Sequence, residues 1–271
     1  MARLSMNEMT TFRWSFDEDV SHYVAAGISA IGVWRPKVSD FGEDKSIELL
    51  AESGLEVSNL LWAGGFTGSD GRNVRDSIED GAEAIRLAAE LRAACLVIYS
   101  GSRHGHTHNH ARRLLTDALA ELLPLAVERE VTLAIEPMNR GCAAEWTFLT
   151  SLDDAMALID HFDSPRMQLA FDTYHLGGDP DLVERLGEAA QRIAVVHLGD
   201  GKSPPDHEQN RTRLGDGVIP LKEIVAALSS AGYDGFYDVE LMGEDIESSD
   251  YVDLLEHSKQ VFAQLLGCPA A

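Results

Sequence analysis

No stretch of the chain approaches the about 20 consecutive apolar residues that a membrane-spanning helix needs, so no membrane partner is expected. The residues from Met1 to Glu8 also lack the apolar run of a signal peptide. Cysteine is scarce. Cys95, Cys142 and Cys268 are odd in number and far apart, which argues against a disulfide framework and suits a reducing, cytoplasmic setting. Basic residues are few: 22 Lys and Arg stand against 45 Asp and Glu, a formal charge of −23. A surface that negative repels phosphate backbones and anionic lipid, so nucleic acid is not expected as a partner. A glycine-rich phosphate turn is missing after the first strand-like segment, which disfavours a doubly wound dinucleotide-binding sheet.

What is present is alternation. Eight apolar segments read as strands: Arg3–Asn7, Ile28–Trp34, Leu55–Trp62, Cys95–Ser100, Thr132–Glu136, Met167–Asp172, Ile193–Leu198 and Phe236–Leu241. Between them lie helical stripes at i, i+3, i+4, i+7, such as Ala84/Leu87/Ala88/Leu91, Ala111/Leu114/Leu115/Ala118 and Leu221/Ile224/Val225/Leu228. Ser15 with Glu18, and Ser151 with Asp154, resemble capping boxes, and Gly27, Gly54 and Gly232 fall where helices should stop. A last helix is expected over about Asp250 to Leu266. At 271 residues, 45% of them hydrophobic, eight such units without a linker predict one α/β domain over residues 1–271, a single (β/α)8 TIM barrel.

Four of the strands end in a metal-binding side chain. Ala134-Ile135-Glu136, Ala170-Phe171-Asp172, Val195-Val196-His197 and Asp238-Val239-Glu240 are separated by steps of 36, 25 and 43 residues (136 to 172 to 197 to 240), each about one strand-helix unit. On neighbouring barrel strands, their C-terminal ends would bring three carboxylates and one imidazole to a point. Buried carboxylates without a partner are costly, and a divalent cation among them offsets their repulsion. The hard ligand set of Glu136, Asp172, His197 and Glu240 favours Mn2+, Mg2+ or Co2+ over a thiolate-bound structural Zn2+, and one Mn2+ ion is the first expectation.

Two loops are long for barrel connections, Gly101–His110 and Gly199–Ile219. The first holds His104, His106, His108 and His110. Such a loop reads as a general acid/base, with His104 or His106 the candidates, as a second metal tract, or as plain exposed polar surface. Trp14, Trp34, Trp62 and Trp146 all fall at or just past strand ends, with Phe66 close behind. Indole faces stack on sugar C–H faces and on flat rings, so Trp34 and Trp146 are the first candidates for a substrate wall. Plugging between loops is the alternative.

The runs Glu136-Pro137-Met138-Asn139-Arg140, Asp172-Thr173-Tyr174-His175 and His197-Leu198-Gly199-Asp200, with Glu240 after them, resemble the sugar isomerase/epimerase superfamily of xylose-isomerase-like barrels. Ketose 3-epimerases, hydroxypyruvate isomerase and inosose dehydratase are members. The resemblance covers most of the chain and implies metal ligation by the same four residues, with His175 a substrate-oxygen ligand. The family also places an Arg ahead of a Gly-x-Gly turn. Counting back from Gly215-Asp216-Gly217, Arg211 matches best and Arg213 is close. That Arg would clamp a substrate oxygen; a surface Arg balancing Asp206 and Glu208 is the alternative. One departure stands out. Ketose 3-epimerases carry a Glu six residues after the first metal Glu, and here that position is Cys142.

The resemblance implies an enzyme that abstracts a proton next to a carbonyl through a metal-bound enediolate, with Glu136 and Glu240 on opposite sides of the substrate. Its substrate would be a small sugar or keto-sugar and its outcome isomerisation or epimerisation. The alternative is a lyase of the same superfamily. One form is a dehydratase. The other is the catalytic subunit of a C-glycoside deglycosylating enzyme, which acts on 3-oxo-glucosides beside a smaller partner subunit. A homo-oligomer is equally compatible. Two other readings are weaker: an apurinic endonuclease needs a basic DNA face, and a silent sugar sensor would have a broken metal set.

Overall fold

The structure is a computed structural model that describes residues 2–141, 143–205 and 209–267. Eight strands, β1 (Arg3–Asn7), β2 (Ala30–Trp34), β3 (Glu56–Gly64), β4 (Leu96–Tyr99), β5 (Leu133–Ile135), β6 (Met167–Asp172), β7 (Ile193–Leu198) and β8 (Phe236–Val239), pair in sequence order into a closed barrel. Every pairing is parallel, including the β1–β8 closure. Strands buried on both faces read as near-continuous apolar runs, which is why sequence pattern finds all eight. The ends differ by one or two residues, as helix and strand ends generally do. The expected fold class, a single (β/α)8 barrel, is the observed one.

Helices alternate with the strands and cover the outside. The stripe residues Ala84, Ala88, Ala111, Leu115, Ala118, Ile224 and Leu228 are fully buried against the sheet. Ser151 Oγ accepts the Asp154 amide, and Glu18 accepts the Ser15 amide, so both expected helix starts are capped. Gly27, Gly54 and Gly232 take φ of 69°, 76° and 84°, the left-handed geometry that ends a helix. The last helix runs Tyr251–Leu265, capped by Asp250. Among the described residues no helix is long and apolar enough to cross a membrane.

The barrel interior is built from small and medium side chains, among them Ala30, Leu61, Cys95, Val97, Ala134, Ala170, Val195 and Phe236. Burial raises the pKa of the Cys95 thiol, and Asp238 and Glu136 raise it further, so it stays protonated and unreactive. Cys142 and Cys268 lie outside the described residues.

One buried ionic cluster joins β1 to the two helices that follow it. Lys37 Nζ donates to Asp19 Oδ2 at 2.5 Å and to the carbonyls of Glu8 and Thr11. Glu8 is fully buried and its Oε2 accepts the Trp34 amide at 2.6 Å. Burial pushes the Glu8 carboxyl well above the usual carboxylate range. Asp19 adds to the rise, and Lys37 opposes it. Asp19 itself is raised to about 6 by burial against the pull of Lys37. An acid whose folded pKa is raised stabilises the fold below its unfolded pKa and loses that contribution as pH climbs through the folded value. Glu8→Gln keeps an oxygen for the Trp34 amide and removes the ionisation. Its Tm relative to wild type is therefore expected to rise between pH 5 and pH 9. A difference that is the same at both pH values would contradict a buried, proton-retaining Glu8.

Candidate metal centre

β5, β6, β7 and β8 are neighbours, so the four expected ligands leave the same rim of the barrel. Asp172 and His197 are register partners. Glu136 and Glu240 lie just past β5 and β8, yet each still donates its amide across the ladder, to Ile98 O at 3.0 Å and Leu198 O at 3.2 Å. Backbone pairing therefore fixes all four positions. Their ligand atoms all lie within 4.8 Å of one another, and no residue of the four is more than 3% exposed. His197 Nδ1 is 2.9 Å from both Glu136 Oε1 and Glu240 Oε2. Only the first contact is a hydrogen bond, which leaves Glu240 Oε2 buried without one among the described residues. Three carboxylates and one imidazole nitrogen at this spacing, with an oxygen to spare, fit a single hard divalent cation.

The charges around the cluster decide how it holds protons. Burial raises the Glu240 carboxyl, but Arg211 and His197 outweigh it and bring the group down to about 2. Burial also raises Glu136, and there His197 does not fully compensate. His197 is lowered by burial but lifted well above its ordinary value by Glu240 and Glu136. His175 lies at 2% exposure with Nε2 3.9 Å from Asp172 Oδ2. Burial drops it to about 4 despite Asp172, so it is neutral at pH 7.

Arg211, not Arg213, reaches the centre. Its Nη2 is 2.9 Å from Asp172 Oδ2 and 3.7 Å from Glu240 Oε1, and its Nη1 donates to Glu240 O at 2.8 Å. Its guanidinium lies 4.8 Å over the Tyr174 ring. At 3% exposure it is no surface Arg; Asp206 and Glu208 lie outside the described residues. The loop that carries Arg211 is fastened by Asp200. Its carboxylate accepts the amides of Gly201, Gly215, Gly217 and Ile219 at 2.8 to 3.3 Å. Four backbone bonds to one buried carboxylate turn a long connection into a fixed support.

Four aromatic side chains gather at the C-terminal ends of β2, β3 and β4 and in the segment after β5. Trp34, Trp62, Tyr99 and Trp146 line a cavity of about 740 Å3. Ring centroids of Trp62 and Tyr99 each lie 5.9 Å from that of Trp146. Trp34 and Trp62 pack on the interior cluster containing Ala134, Ala170 and Val195, each two residues before a metal ligand, so the wall rises from the same barrel mouth. Trp62 Nε1 is buried without a hydrogen-bond partner among the described residues. Trp14 instead stacks on His22 and meets Tyr251 edge-on, and Phe66 is buried in the core. Two cations border the cavity, both already paired: Arg35 with Asp80, and Arg72 with Asp70 and Asp80.

His104 and His106 lie on the loop after β4. His104 is exposed and lines a cavity of about 680 Å3 with Arg103, His108 and Arg140, sharing no residue with the aromatic one. His106 Nε2 lies 3.3 Å from Thr67 O, and its ring faces His110 at 4.7 Å.

Sequence reasoning passed over two carboxylates. Asp200 sat inside a quoted motif, and only the folded loop reveals its four amide partners. Asp238 lies in the inward phase of β8 two residues before Glu240, where an apolar side chain is the norm. That phase is the signal that could have marked it.

The family model described as xylose isomerase-like TIM barrel matches residues 20–262. L-ribulose-5-phosphate 3-epimerase UlaE of Escherichia coli is 30% identical over 141 residues, 52% of this chain and 46% of that protein. The chain thus matches somewhat under half the length of this curated relative. Protein SMc04130 from Sinorhizobium meliloti superposes with a TM-score of 0.90 at 30% identity, covering 98% of both chains. The IOLI protein, whose crystal structure has a bound zinc atom, superposes at 0.85 with 19% identity and 98% coverage of both chains, a likeness of fold alone. With the family model spanning most of its length and the closed parallel barrel to match, the chain belongs to the xylose isomerase-like TIM barrel family.

Proposed function

We propose that the protein is a divalent-metal-dependent enzyme that isomerises or epimerises a keto-sugar by moving a proton next to a carbonyl. The observation that carries this reading is the buried Glu136–Asp172–His197–Glu240 cluster at the barrel mouth. Glu136, Asp172, His197 and Glu240 would hold the ion, Mn2+ being the first expectation. When bound, the ion supplies Lewis acidity toward the carbonyl and the adjacent hydroxyl. Glu136 and Glu240 are the two candidates for proton transfer at carbon: one would take the proton, and the other, or the same one, would return it. Neutral His175 and cationic Arg211 orient the substrate oxygens, and Trp34 and Trp146 stack on its carbon skeleton. His104 and His106, on the loop after β4, are further candidates for a general acid/base.

The substrate carries no phosphate on this reading. Arg35 and Arg72 are neutralised by Asp70 and Asp80, and a net charge of −23 opposes an anionic ligand. On this reading its substrate would differ from that named for the L-ribulose-5-phosphate 3-epimerase relative. A second reading keeps the same proton abstraction and ends in loss of a flat leaving group, the lyase outcome on a 3-oxo-glucoside. It is favoured by the size of the aromatic cavity, about 740 Å3. A smaller partner subunit or a second copy of the chain could cap that mouth.

The test is proton exchange in D2O with the Mn2+-loaded protein across neutral ketoses, 3-keto-glucosides and ribulose 5-phosphate. Deuterium is expected at the carbon beside the carbonyl of a neutral substrate. Exchange confined to the phosphate ester overturns the substrate assignment, and no exchange with any of them overturns the proton-abstraction chemistry.

A further inference from the structure

Directly beneath the candidate metal centre lies a second polar layer. Asn7 on β1, Asn59 on β3 and Asp238 on β8 are all fully buried inside the barrel. Both asparagine amides donate to the same Asp238 oxygen, Oδ2, each at 2.7 Å. Gly32 on β2 makes the room: a Cβ there would fall 2.2 Å from that oxygen. The other oxygen, Oδ1, is buried without a close hydrogen-bond partner among the described residues, while the Ser5 hydroxyl, opposite Asp238 on β1, also favours the charged carboxylate. Leaving a buried acceptor unanswered costs on the order of 1–3 kcal/mol, more if it is charged.

A complementary orphan lies on the next strand. His197 Nε2 is also buried and without a partner among the described residues. His197 and Asp238 are register partners of β7 and β8, and register partners of parallel strands face the same side of the sheet. Here that side is the barrel interior. The other imidazole nitrogen, Nδ1, points at Glu136 and Glu240, so it is the atom offered to an ion.

We propose that Asp238 is a positioning residue for the metal centre: its free oxygen receives the Nε2–H of His197, directly or across one water, and so reserves the Nδ1 lone pair for a divalent cation. The inference rests on the metal reading of the four ligands. A neutral imidazole has one proton, and whichever nitrogen is held by a hydrogen-bond acceptor leaves the other free to ligate. Asn7 and Asn59 sharpen the arrangement. With two donors fixed on Oδ2, only Oδ1 is left for the histidine.

The same geometry makes the position intolerant of an amide. An asparagine at 238 has one oxygen, and Asn7 and Asn59 both require it. Its NH2 would then face His197, donor against donor. The imidazole relieves that clash only by moving its proton to Nδ1, the ligand atom.

The experiment compares wild type with Asp238→Asn by calorimetric titration of the apoprotein with Mn2+, and by 15N NMR of histidine-labelled protein loaded with diamagnetic Mg2+, where an ion at Nδ1 leaves the imidazole a single proton to place. The His197 resonances are assigned by their loss in His197→Gln. Wild type is expected to show a protonated Nε2. Asp238→Asn is expected to lose that proton and to bind Mn2+ about 10–100-fold more weakly. Equal Mn2+ affinities in the two proteins overturn this inference alone. So does an unprotonated Nε2 in wild type, a result that needs no variant to fold. A wild-type protein that takes up no Mn2+ overturns the metal reading, and this inference with it.

Discussion

Glu240→Gln is expected to fold as wild type does and to turn over its substrate slower by a factor on the order of 10³, within the range a positioned acid/base supplies. The amide keeps an oxygen toward the ligand cluster, so the loss falls on proton transfer more than on architecture. Glu136→Gln is expected to behave alike, because both side chains face the same imidazole nitrogen at 2.9 Å. The informative comparison is solvent exchange against net turnover. If Glu240 removes the proton, its variant loses deuterium uptake along with product. If Glu136 only returns one, its variant still exchanges deuterium while forming little product. Either variant retaining near wild-type turnover contradicts the role assigned to that residue.

Arg211→Met is expected to have the largest effect on stability. The guanidinium is buried against Asp172 and Glu240, and removing one partner of a buried ion pair costs about 3–5 kcal/mol. At about 2–4 °C per kcal/mol for a chain somewhat smaller than this one, the fall in Tm is of the order of 10 °C. The remaining carboxylates then repel one another, so an added cation should restore more stability to the variant than to wild type. Differential scanning with and without Mn2+ reads both effects. A Tm near that of wild type, or an Mn2+ response no larger than the wild-type response, contradicts the placement of Arg211 as the countercharge of the cluster.

The barrel and its ligand quartet were legible in the sequence for one physical reason. Parallel strands buried on both faces read as near-continuous apolar runs, so Asp172, His197 and Glu240 stand out as polar residues at their ends. Closure of the barrel then does the rest, because β5 to β8 are adjacent. Arg211 was harder to place. Its loop has no regular pattern, and the choice between Arg211 and Arg213 is made by Asp200 gathering amides from Gly201 to Ile219, contacts that leave no periodic trace. Four histidines in one loop are conspicuous in the sequence, and the fold sets them on and just after the loop that follows β4, where His104 lines a cavity with Arg103, His108 and Arg140. The buried Asn7–Asn59–Asp238 layer is hard to read because it is three single polar residues on three strands. Only their common inward phase unites them.

The central claim is that one cation sits among the side chains of Glu136, Asp172, His197 and Glu240. Anomalous diffraction from crystals grown with Mn2+ measures this directly. The account predicts a single strong peak bounded by those four side chains. A map with its only peak at the His104–His110 loop, or with none at the quartet under saturating Mn2+, would contradict it.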